Sequence, residues 1–342
     1  MASAYVLGLL LLAPVSARLA GRWGVRRVVQ VQALASAVAW TGFSALIALG
    51  APYLWWHLAA LLAGGTLAGS AGLLRSTLSD TTEPRQMRVA SSLDATVIEL
   101  LVVAAPMLVT LGLSVDLLGT TGVVAAVSAL AVFSLRSLPD ASQPPPTGTA
   151  LSAPLLTLRR PLWAWGWVGF ALGLTLGVVE IGAVSLVSRI GLRVADAWVV
   201  FAVLTAASIL GGLVDAATAG PGHQDHRPRT LMFVGAMVSG CLVMLLGTTL
   251  PVVLLGVALL GLPAAPLFSA RSLRTEAVTT SVERPLAFTR VFALQSIGFA
   301  VAGLLLAGVG QRWSLAAAMV ALVATTIGVV HLDRPARSAP PR

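Results

Sequence analysis

The sequence contains no lysine, only one cysteine, and 13 acidic residues against 22 arginines. A lone Cys241 excludes an internal disulfide and a cysteine-built metal centre. Charged residues make up 10% of the chain, whereas soluble domains carry roughly 25%. That scarcity excludes an ordinary soluble globular domain. Segments of about ten residues with strict alternation, the mark of a membrane β-barrel, are also missing. No Walker loop, nucleophile elbow or zinc-protease signature occurs, so neither ATP-driven work nor a standard hydrolase is expected. The chain is read as a non-enzyme with no catalytic residues and no cofactor.

What is present is apolar sequence in long runs: 57% of residues are hydrophobic and the mean hydropathy is +0.91. A hydrocarbon core of about 30 Å needs about 20 apolar residues per helix. Eleven such runs are expected, near 1–20, 27–49, 53–75, 89–113, 117–137, 162–188, 194–217, 230–248, 250–270, 287–309 and 313–332. The fold class is therefore an all-α integral membrane protein. The formal charge of +9 would suggest nucleic acid in a soluble protein. Here the arginines lie between apolar runs, so the bilayer is the expected partner and nucleic acid is not.

All arginines except Arg189, Arg193 and Arg312 fall in alternate connections or in the C-terminal tail. Arg75 and Arg271 are counted among these connection residues. By the positive-inside rule that side is cytoplasmic, including the C-terminus, and a multi-pass protein of the plasma membrane is expected. Tyr53, Trp55 and Trp56 mark one interface, and Trp163, Trp165 and Trp167 the other. The first run is not a signal peptide, because its charges follow it instead of preceding it. Its direction, from outside to inside, makes the chain read as starting one helix late.

The chain also repeats itself. GTLAGSAGLLRS ends the third span and GLPAAPLFSARS the ninth. Gly65 and Gly261, and Arg75 and Arg271, are each 196 residues apart. EPRQMRVA and ERPLAFTR follow in turn. Residues 139–161, with three consecutive prolines, read as a linker between a first bundle at 1–138 and a second at 162–332, followed by a tail at 333–342.

Two bundles in parallel repeat resemble the major facilitator superfamily. The likeness extends to Arg18–Arg27, where Arg22, Gly24, Arg26 and Arg27 match the loop signature Gly-x-x-x-Asp-Arg-x-Gly and its basic tail. Ala17 replaces the first glycine, and Gly21 the aspartate that helps latch the cytoplasmic side in that family. The resemblance makes the first bundle helices two to six and the second helices seven to twelve, with helix one missing. It implies a secondary transporter working by alternating access, and Pro106 leans towards the proline motif of family exporters.

Ionisable groups within spans are costly and mark sites by default. Glu180 and Glu99 are the candidates for proton coupling or a substrate cavity, because a desolvated carboxyl group takes up protons near neutral pH. Asp94 is expected nearer the cytoplasmic face, paired with Arg85 or Arg88. Asp215, at the inner end of the seventh span, is a candidate gate residue beside the loop residues Arg18, Arg22, Arg26 and Arg27. Pro106, Pro263 and Pro266 are candidate hinges. His223 and His226 lack a third ligand, so no metal site is expected. Thr66, Ser70, Thr175 and Ser185 are scattered hydroxyls in an otherwise apolar lining with no arginine at mid-depth. A hydrophobic or weakly cationic small molecule, exported against protons by a monomer, fits that lining. The alternative is a transporter-like membrane protein serving as sensor, scaffold or partner subunit.

Overall fold

The computed structural model describes residues 2–66, 70–83, 86–87, 89–95, 97, 124–130, 136, 160–218, 226–280 and 283–332. Among them there is no strand. The first half holds α1 (Ala2–Trp23), α2 (Val25–Ala48), α3 (Tyr53–Thr66) and α4 (Ser70–Thr81), with further helical residues at 89–95 and 124–130. The second half holds α5 (Arg160–Glu180), α6 (Ala183–Arg189), a single 3-10 turn at Val194–Ala197, α7 (Trp198–Ala217) and α8 (His226–Leu246). It continues with α9 (Leu250–Gly261), α10 (Ala264–Ala277) and α11 (Arg284–Leu332). Val25–Ala48, Pro161–Glu180, Trp198–Ala217, Pro228–Leu246, Leu250–Ala277 and Arg284–His331 are long and apolar enough to cross a membrane. Their outward faces are apolar too, with Val38, Met232, Leu255 and Val320 exposed.

Among the described residues the expected spans are met by helices with four corrections, while most of the expected spans at 89–113 and 117–137 lies outside them. The loop read between residues 20 and 27 shrinks to one residue, because α1 runs to Trp23 and α2 begins at Val25. Gly24 alone makes the bend, at φ 83, where side-chain residues rarely go. The sixth span breaks at Ile181–Gly182. The ninth breaks at Leu262–Pro263, since Pro263 precedes α10 and Pro266 sits in its first turn. A first-turn proline loses no intrahelical bond. The last two spans meet at Gly310 (φ 79, ψ 177), which divides α11 into two legs.

In lipid, helices gain little from hiding apolar surface, so small residues and close packing hold them. Gly169, Gly173 and Gly177 form such a stripe on α5. A Cβ at Gly173 would strike the Gln295 carbonyl, and one at Gly177 would fall 2.8 Å from the Ala302 side chain. From the other side, Gly298 of α11 abuts the Phe170 carbonyl. The internal repeat is physical as well. Gly65 packs against the Gly8 carbonyl, and 196 positions later Gly261 packs against the Leu204 carbonyl.

Candidate functional site

The end of the molecule that carries α4, α10 and the start of α11 is where the two halves meet. Ordinary loop arginines would lie in water here. Instead α4 and α10 continue past residues 75 and 270, the expected ends of their spans, and bury Arg75 and Arg271. Their relative exposures are 5% and 1%. Assigning these two arginines to connections is corrected by that burial. A helical side chain leans towards the helix N-terminus, so both guanidinium groups are carried away from the arginine-rich face and into the bundle. The Arg271 Nη1 atom lies where a Cβ at Gly169 would come within 2.8 Å. Gly169 is nine residues past Arg160, about 14 Å along α5. An arginine therefore does reach mid-depth, contrary to the lining read from sequence.

The repeat-related pair shares one aromatic ring. The guanidinium carbons of Arg75 and Arg271 lie 4.6 and 4.5 Å from the centroid of Phe292. Arg271 also lies 5.1 Å from the Phe268 ring. Here the symmetry stops. Arg75 pairs with Asp94, Nε to Oδ2 at 2.8 Å, and donates from Nη1 to Ser272 Oγ at 2.6 Å. Asp94 thus pairs with Arg75 in this structure, while the side chains of Arg85 and Arg88 lie outside the described residues. Arg271 Nη1 and Nη2 have no hydrogen-bond partner among the described residues.

Further contacts close the seam between the halves. Arg284, at the start of α11, takes Asp80 of α4 at 2.8 Å and Glu276 of α10 at 3.8 Å. Asp80 and Glu276 are again 196 residues apart. Ser92 donates to the Gly212 carbonyl at 2.7 Å. Gly72 lets α4 approach the backbone of Thr289, within 2.7 Å of its nitrogen for a notional Cβ. The Arg75–Ser272 and Ser92–Gly212 bonds are the buried ones among these ties.

The other sequence candidates are more dispersed. Glu180 is the half-buried last residue of α5, twenty residues and about 30 Å from Arg160. At that far end Gln311 receives a bond from Ser185 Oγ at 2.8 Å and donates to the Val178 carbonyl at 3.2 Å, pinning the break in α5 to α11. Asp215 pairs with Arg229 of α8 at 2.8 Å, within the second half. That pair borders a small crevice with Pro266 and Ser269 on its wall. Arg18 and Arg22 lie in the last turns of α1, and Arg26 and Arg27 in the first turn of α2. Thr66 and Thr175 turn their hydroxyls onto the Ala63 and Ala171 carbonyls. Trp163 and Trp167 face outward, but Trp165 is buried and is no interfacial anchor. Glu99, Pro106 and His223 lie outside the described residues, as does the His226 side chain.

Sequence reasoning missed Asp80, Ser272, Arg284 and Phe292, and the glycine stripe of α5. The stripe had a legible signal, Gly at every fourth position, which favours close helix approach. Asp80 and Glu276 also had one, their repeat spacing.

No family profile and no curated protein matches this sequence. Solved structures do. One similar structure is the human organic anion transporter MFSD10 (TETRAN), with TM-score 0.74 and 16% identity over 96% of this chain and 82% of that one. Another is the major facilitator proton:xylose symporter XylE bound to 6-bromo-6-deoxy-D-glucose, with TM-score 0.75 and 13% identity over 96% and 84%. The chain has the fold of the major facilitator superfamily.

Proposed function

We propose that this protein is a secondary transporter that carries a small molecule across the plasma membrane by alternating access. The single observation that carries the reading is the seam at the arginine-rich end, tied by Arg75 to Ser272, Arg284 to Asp80 and Ser92 to Gly212. Such ties, two buried hydrogen bonds and one partly exposed ion pair, hold one end shut yet can be broken, since each contributes only about 1 kcal/mol. Both named structural neighbours are transporters by description. Proton-coupled export is the proposed mode. Glu180, at the break between α5 and α6, is the proposed proton site, with Glu99 the second candidate. The preference for a weakly cationic substrate rested on an arginine-free lining. With Arg75 and Arg271 buried in the seam that half of the argument lapses, and the preference for a hydrophobic body remains.

Alternating access is testable without knowing the substrate. Spin labels at the exposed Thr81 and Ala217, on opposite halves at the arginine-rich end, are expected to report two distance populations in nanodiscs, the shorter dominant. Asp80→Asn should enlarge the longer population. Acidification should shift the balance in the native sequence and fail to do so in Glu180→Gln. A single unchanging population in all of these would sink the transporter reading and leave a non-transporting membrane protein.

A further inference from the structure

We propose that the two terminal nitrogens of Arg271 are the binding point for the carboxylate of an organic monoanion, held in the seam between the two halves. The inference rests on the transporter reading, and it names the substrate class that this reading leaves open.

Burying a guanidinium group is costly unless it is paired and hydrogen-bonded. Arg271 is 1% exposed and its Nη1 and Nη2 are unpartnered among the described residues. The helices around it bring no remedy. α11 has no acidic residue along its whole length, and α5 has none before Glu180, at its far end. Glu276, the one acid on α10 itself, pairs with Arg284. Asp94 pairs with Arg75. Around Phe292 there are thus, among the described residues, two guanidinium groups and one carboxylate. One further negative charge balances this set, and two would overshoot it.

Geometry specifies the rest. A guanidinium group offers parallel N–H bonds that fit a carboxylate in a bidentate fork. Gly169 lets the guanidinium group lie against the backbone of α5, since a Cβ there would come within 2.8 Å of Nη1. Phe268 and Phe292 supply apolar walls against the charge. Trp165, one turn before Gly169 on the same face of α5, adds a buried indole N–H with no partner among the described residues. A carboxylate on an aromatic or aliphatic body suits such surroundings.

The test uses the full chain in detergent, with melting temperature as the readout and three probes: benzoate, its neutral twin benzamide, and chloride. Benzoate at millimolar concentration should raise Tm by several degrees, while benzamide and chloride should not. The benzoate shift should vanish in Arg271→Gln. If that variant fails to fold, Arg271→Lys should fold and show a shift reduced by more than half, because an ammonium group cannot make the parallel bonds. An undiminished shift in either variant overturns the assignment. An equal shift with benzamide shows that the carboxylate is not read, and an equal shift with chloride shows an inorganic counter-ion site. Either result also overturns it. The spin-label populations separate this failure from that of the transporter reading. Two populations without an Arg271-dependent benzoate shift reject the site alone. A benzoate shift that needs Arg271, with one population, upholds the site and rejects transport.

Discussion

Arg75 and Arg271 hold equivalent places in the two halves of a repeated chain and face the same ring, yet their surroundings differ in kind. Arg75 has a carboxylate and a hydroxyl as partners. Arg271 has neither among the described residues. The first is a structural tie across the seam. The second is an unmet demand at the matching position. Duplication supplied the same cation twice, and only the partners make one of them a fastener.

Substitutions can sharpen or break that contrast. The largest effect is expected from Arg75→Met, which leaves Asp94 and Ser272 without their cation. Removing one partner of a buried pair costs about 3–5 kcal/mol, and the 32% exposure of the Asp94 side chain points to the lower end. Arg271→Met should act with the opposite sign. It replaces an unpaired buried charge by an apolar side chain, and the gain without any anion present is about 1–4 kcal/mol. Denaturant melts of both variants in the same detergent measure the pair. Equal losses would erase the distinction between the two arginines.

Gly169→Ala comes next. Its Cβ would crowd Arg271 Nη1 at 2.8 Å and the Val291 carbonyl at 3.2 Å, a loss of about 1–2 kcal/mol by overpacking. In the Arg271→Met background part of that loss should disappear. A double-mutant cycle without coupling would show that the two residues are independent. Smallest is Ser272→Ala, which removes one acceptor from Arg75 at about 1 kcal/mol. Its effect should depend on Arg75 and be insensitive to Arg271→Met.

Much of the architecture was legible before any coordinate. Apolar run length gave the spans, because a helix must cross a fixed thickness of hydrocarbon. The 196-residue repeat reappears in the contacts of Gly65 and Gly261. The site was less legible, for one reason in particular. Arginine near a span end is read as a loop residue, since charge belongs in water. That reading failed at Arg75 and Arg271 because α4 and α10 run on past the expected ends, and because arginine's long stem lets its charge lie well away from its own backbone. Pairing was equally hidden. Nothing local in the sequence says that Asp94 faces Arg75, or that Asp215 faces Arg229, because both choices are made by helix packing. Trp165 shows the same limit, since it differs from Trp163 and Trp167 only in which side of α5 it occupies.

The glycine stripe on α5 has a mechanical consequence. With Gly169, Gly173 and Gly177 pressed against the first leg of α11, these helices cannot slide past one another without backbone striking backbone. They form a single stiff beam, riveted at its far end where Gln311 holds Val178 and Ser185. A beam transmits tilt and does not absorb it. Loosening near Phe292 must therefore emerge as displacement near Glu180, about 17 Å beyond Gly169 along α5, so the seam and the proposed proton site are the two ends of one lever.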